Sequence, residues 1–161
     1  MKVLCCLDGT NIEQISSAVK NMLPANQRTL GLIYVIDSGP HGELERQRER
    51  FLRTPALDPR RNEQMQNAEI SVAQDILEEG TRALPGAERM QKIGRPEREI
   101  VNYALEWHAD LIVICPRSPV SGGPTMGPKS VGHVARFVLD HAPCPVLLVR
   151  PVSIPPSHFV P

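Results

Sequence analysis

The stretch from Asp110 to Arg150 limits the possible folds more than any other part of this chain. Leu111-Ile-Val-Ile-Cys115 is an unbroken run of five apolar residues. A Gly/Pro-rich loop, an amphipathic segment and the second apolar run Cys144-Pro-Val-Leu-Leu-Val-Arg150 follow it. Strands that read as continuous apolar runs, without alternation, are buried on both faces, as in a parallel sheet. The pattern is therefore a β-loop-α-β unit, and the preceding chain reads as earlier copies of it.

Val3 to Leu7 is the first such run and ends at Asp8-Gly9-Thr10. Thr10-Asn-Ile-Glu13 has the spacing of a capping box, with threonine and glutamate answering orphan amides of a helix start. Ile12, Ile15, Val19 and Met22 recur every three or four residues, one face of a helix that closes near Leu23-Pro24. Leu30 to Ile36 is a second strand. Residues 38–62 break the rhythm: the mixed-charge run Glu43 to Arg50 reads as a short exposed helix, and Thr54-Pro55 and Asp58-Pro59 as irregular chain. Met65, Ala68, Val72 and Ile76 predict a helix ending near Gly80, and Arg89 to Ile93 a weak edge strand. After Gly94-Arg95, Pro96 suits the first helical position, and Ile100, Ala104 and Trp107 carry the apolar stripe. Strand and helix alternating in this way predict an α/β fold, a three-layer doubly wound sandwich over residues 1–150. The tail 151–161, with four prolines, is expected to lie extended.

Composition narrows the partners. Eighteen basic residues balance eighteen acidic ones, so the chain lacks the field that draws proteins to nucleic acid or anionic lipid. No apolar run approaches the ~20 residues of a membrane span, and a cytoplasmic location is expected. Cys5 and Cys6 are adjacent in a strand and point to opposite faces, which suits small buried hydrophobes better than a redox pair or metal knuckle. Cys115 and Cys144 are read the same way, and no metal site is expected. The five histidines (41, 108, 133, 141 and 158) show no ligand spacing, and His133 is expected at the surface.

In an open parallel sheet the ligand crevice lies beyond the carboxyl ends of the strands, where the winding reverses. That places Asp8-Gly9-Thr10 opposite the loop from Cys115 to Ser130. Helix amino ends point there too, making phosphate the first ligand to consider. Lys129 and Arg117 are candidate anion contacts, and Ser130 is expected to be the N-cap of the last helix. Gly123-Pro-Thr-Met-Gly-Pro128-Lys129-Ser130 misses the Walker A pattern by one residue, Pro128. It also starts nine positions after Ile114, where a true P-loop would leave the strand at once.

Cys6-Leu7-Asp8-Gly9-Thr10, Ile33-Tyr34-Val35, Gly94-Arg-Pro96, Ala109-Asp-Leu-Ile-Val-Ile114, Ser130-Val131 and Ala142-Pro-Cys-Pro-Val-Leu-Leu-Val-Arg150 together resemble the universal stress proteins. The resemblance covers the chain except residues 38–62 and the tail. It implies a five-stranded parallel sheet of order 3-2-1-4-5, similar to the adenine nucleotide alpha hydrolases. It also implies a homodimer meeting through the last strand (Pro145–Arg150), with the tail. Nucleotide-binding members carry Gly-x-x-Gly, nine residues, then Gly-Ser or Gly-Thr. The corresponding positions here are Cys115, Ser118 and Lys129-Ser130, with ten residues in the gap. A side chain at each replaced glycine crowds the place of a phosphate oxygen, and Pro128 removes an amide donor.

Asp8 and Val35, which the resemblance places on base and sugar, remain. The implied ligand-contacting set is Asp8, Gly9, Thr10, Val35, Arg117, Ser118, Lys129, Ser130 and Val131. No cofactor is required on this reading; ATP or AMP is the ligand to test. The leading expectation is a stress-response protein acting as a dimeric regulatory or protective module, open to a regulatory protein partner, with weak or absent ATP binding. The competing expectation is an adenine-nucleotide switch or slow ATPase using a remodelled loop 115–130. No nucleophile elbow or His-Glu-x-x-His motif supports another enzyme.

Overall fold

The computed structural model describes residues 1–39, 59–116 and 131–150. Five parallel strands, β1 (Lys2–Leu7), β2 (Thr29–Asp37), β3 (Glu88–Gly94), β4 (Leu111–Ile114) and β5 (Val146–Leu148), form one sheet of order β3-β2-β1-β4-β5. The register runs Cys5↔Leu32 between β1 and β2, and Cys5↔Val113 between β1 and β4. Among the described residues, four helices cover it: α1 (Ile12–Met22), α2 (Pro59–Ala83), α3 (Pro96–Glu106) and α4 (His133–His141). The family expectation of sheet order is met.

The two faces of the sheet make two cores. Val3, Cys5 and Leu7 pack with Ile12, Ile15 and Val19 of α1 and Leu77 of α2. Leu4 and Cys6 pack with Ile100 and Ala104 of α3 and Ala135 and Val138 of α4. Adjacent Cys5 and Cys6 thus enter opposite cores, as strand geometry requires. Central β1 is buried along Val3–Leu7, whereas edge strand β3 leaves Ile93 exposed. Arg28 Nη1 donates to the carbonyls of Val19 and Leu23, both at 2.8 Å, and so answers the exposed carbonyl end of α1.

Helix α2 differs from its sequence pattern. Met65 and Val72 are 38% and 52% exposed, and the buried positions are Ala73, Leu77 and Gly80. The helix also runs through Gly80 instead of stopping there. A Cβ on Gly80 would lie 2.8 Å from Leu7 and 3.0 Å from Leu32, so the missing side chain lets α2 sit close on β1 and β2. That close approach, which no local spacing encodes, sets the rotation of the helix. The proposed helix at Glu43 to Arg50 and most of the irregular segment lie outside the described residues, but positions 59–62 belong to α2.

At the amino ends of the strands, Trp107 lies over Gly31 of β2, where a Cβ would come within 3.0 Å of the indole. The ring is fixed by Glu88, which accepts from Nε1 at 3.2 Å, by the Lys2 ammonium 5.2 Å from its centroid, and by stacking on Tyr103. Gly31→Val is therefore expected to lower unfolding free energy by about 1–3 kcal/mol through overpacking. Urea titration followed by fluorescence of this single tryptophan measures it. An unchanged midpoint would show that the ring yields freely.

Candidate functional site: the crevice at the winding reversal

Successive strands step to one side of β1 as far as β3, and β4 then returns to its other side. The crevice expected at such a reversal is present, at ≈ 580 Å³, within the range of small-ligand sites. Its floor includes Cys6, Leu7, Ile33 and Ile114 from the strand ends, with Val35 beside them. The amino-terminal turns of α3 and α4 form a wall through Pro96, Glu97, His133 and Val134.

Asp8 and Asn11 shape the β1 end. The Thr10 amide and hydroxyl both donate to Asp8 Oδ1, at 2.7 and 2.9 Å. Asn11 Oδ1 accepts from the Asp8 amide at 3.0 Å, and its Nδ2 donates to the Cys6 carbonyl at 3.0 Å. The capping box predicted from Thr10 and Glu13 does not form: Asn11 occupies the cap position and makes no side-chain bond to the helix. Local side-chain-to-backbone bonding has won over helix capping, because these residues can serve either. Gly9, at φ 90, turns toward α2, where a Cβ would stand 3.1 Å from Ile76.

Of the nine residues expected to contact a ligand, Asp8, Val35 and Val131 line the crevice. Gly9 and Thr10 form the turn that holds Asp8 and are not part of the lining. Arg117, Ser118, Lys129 and Ser130 lie outside the described residues. The N-cap expectation for Ser130 is corrected: α4 starts at His133, and its cap is Gly132, with φ 82 and ψ 167. Glycine takes this left-handed conformation without a Cβ penalty, which is why the helix begins two residues later than the serine suggested.

Asn11, Tyr34, Asp37, Arg95, Glu97 and His133 also line the crevice. Sequence reasoning assigned none of them a role there. Glu97 is the most consequential. Its side chain is 8% exposed, and its Oε2 lies 3.4 Å from His133 Nε2. The His133 side chain is 58% exposed, so the surface expectation holds for most of the ring while one nitrogen faces the buried carboxylate. An acid in a first helical turn reads in sequence as a complement to the helix dipole. Nothing in that signal gives its burial or its partner on another helix. Asp37 Oδ1 accepts from the Gly39 amide at 2.8 Å, closing the β2 end of the crevice.

All four thiols are shifted upward, away from reactivity, with burial the largest cause in each. Burial pushes Cys5 up to about 12 and Cys115 up to about 11; the Asp8 carboxylate adds to the latter, and an Asn11 hydrogen bond opposes it. Cys6 is also raised, first by burial. Burial followed by the Asp8 charge raises Tyr34 as well. All four cysteines are free. Among the described residues no group of three His, Cys, Asp or Glu is placed to hold a metal ion, and no helix is long and apolar enough to cross a membrane.

A family model described as the universal stress protein family matches residues 1–150. The chain belongs to that family. A curated universal stress protein of Synechocystis is 32% identical over 80 residues, which span 50% of this chain and 47% of the relative. Among solved structures, UspA of Lactobacillus plantarum superposes with a TM-score of 0.66 at 26% identity, covering 93% of this chain and 97% of its own. A family member from Arabidopsis thaliana solved with AMP bound has a TM-score of 0.60 at 16% identity, covering 95% and 93%. This universal stress protein therefore shares the family's fold.

Two outcomes follow from the thiols. At pH 8 Cys115 is expected to react with a maleimide at least tenfold more slowly than a free cysteine, since the lost thiolate outweighs the gain in nucleophilicity. Thiols whose folded values are raised favour the folded state below the unfolded thiol value of 9.0, and that contribution is lost as pH rises toward about 11–12. Stability measured between pH 8 and 11 should therefore fall. Rapid labelling of the native protein would contradict both.

Proposed function

We propose that this universal stress protein acts as a dimeric regulatory or protective module of the stress response, and that its crevice binds ATP weakly or not at all. The observation that carries this reading is Cys115. The family resemblance implies glycine, in nucleotide-binding members, at the position to which Cys115 corresponds, and here a half-buried thiol beside Asn11 lines the crevice. The added side chain takes room that a phosphate oxygen would need. Asp8 and Val35, which the family resemblance places on base and sugar, also line the crevice. The AMP held by the Arabidopsis relative supports an adenine ligand for this crevice.

Dimerisation through the last strand is supported by the edge position of β5, which among the described residues pairs with β4 alone. Val146, Leu147 and Leu148 there remain half-buried. An unpaired apolar edge is a ready template for a second copy. Free thiols and balanced charge fit a cytoplasmic location.

Titration calorimetry with ATP and magnesium is expected to give a Kd above about 100 μM, and sedimentation to give twice the monomer mass. Tight, stoichiometric ATP binding would overturn the weak-binding reading in favour of a nucleotide switch with a remodelled loop. A monomer at tens of micromolar would overturn the dimer.

A further inference from the structure

The amino ends of α3 and α4 lie side by side on one wall of the crevice. Each carries the partial positive charge that makes a helix start attractive to anions. In this protein an anion already stands there. Glu97, in the first turn of α3, is almost wholly buried, and its Oε2 lies 3.4 Å from Nε2 of His133, the first residue of α4. A buried carboxylate requires compensation, and two helix starts plus an imidazole supply it. They are then no longer available, uncompensated, to an incoming phosphate chain.

The remaining described lining points the same way. Asp8 and Asp37 carry two more carboxylates at the β1 and β2 ends, while Arg95 is the one guanidinium among the described lining residues. Uncharged surface is ample: Ile33, Val35, Ile100, Val131 and Ala135 supply apolar contact for a flat base. Asp8 and Asp37 present carboxylate oxygens of the kind that accept from ribose hydroxyls.

We infer that Glu97 is a specificity-determining residue of the crevice: its carboxylate, held against His133 at the joined amino ends of α3 and α4, restricts the ligand to an adenine nucleoside or its monophosphate and disfavours di- and triphosphates. The inference rests on the adenine reading of the crevice given above and adds the determinant of phosphate number. A triphosphate brings about four negative charges beside a resident carboxylate in a partly desolvated site, where like charges repel strongly. Adenosine brings none.

The test measures adenosine, AMP and ATP binding by calorimetry at fixed ionic strength, without magnesium, for the wild-type chain, Glu97→Gln and His133→Gln. The wild-type protein is expected to bind adenosine at least tenfold more tightly than ATP, with AMP between them. Glu97→Gln should narrow that ratio about tenfold by strengthening ATP, with adenosine little changed. His133→Gln, which leaves Glu97 without its imidazole, should widen it. A pair that merely braced the two helices would weaken all three ligands together in both variants, and that result overturns the inference. Equal wild-type affinity for adenosine and ATP overturns it while leaving the adenine reading intact. Failure of all three ligands to bind overturns both. If Glu97→Gln does not fold, a widened ratio in His133→Gln supports the inference and an unchanged one overturns it.

Discussion

Burial of β1 on both faces is the constraint from which the rest of this structure follows. Val3, Cys5 and Leu7 are committed to one core and Leu4 and Cys6 to the other. No face of the strand is left for solvent, so helices must cover both sides of the sheet. Strands of a parallel sheet share one direction, which brings their carboxyl ends to a common edge. Where the neighbours of β1 depart in opposite directions, side chains cannot close that edge. The crevice is thus a consequence of winding, and the residues around it are those that happen to end strands or begin helices there.

What such a crevice accepts is decided by a few polar groups placed against this apolar floor. Asn11 joins the end of β1 to the turn after it through two hydrogen bonds, and it is itself buried. Its amide therefore holds Asp8 in position with little freedom. On the opposite wall, Glu97 and His133 bring together two helix starts that are far apart in sequence. Three carboxylates, Asp8, Asp37 and Glu97, thus stand among the described residues that line the crevice. Membership in a family is not by itself an affinity for any ligand, because binding depends on individual residues of the site and not on the fold that carries them.

Much of this was legible in the chain. Unbroken apolar runs at β1, β2 and β4 gave the strands, and the family resemblance supplied their order. Pro96 marked a helix start, and the adjacent cysteines announced two faces. The failures were of two kinds. The stripe assigned to α2 was rotated because the close seat of Gly80 on Leu7 and Leu32, a tertiary contact, fixes which side faces in. Thr10 and Ser130 looked like caps, but threonine bonded back to Asp8 and the last helix began at a left-handed Gly132. Ser, Thr, Asn and Asp serve turns and caps equally well, and spacing does not say which will win.

By itself the sequence determined a doubly wound α/β chain, the two-sided burial of its central strand, and a thiol side chain directly after the fourth strand, at Cys115. Each follows from periodicity or from the presence of a single side chain. Only the tertiary structure decided that Glu97 would be buried, that His133 would meet it, and that Asn11 would fasten the mouth of the crevice. Those contacts join residues on separate elements, and their energies exist only once desolvation and proximity are imposed together by the fold.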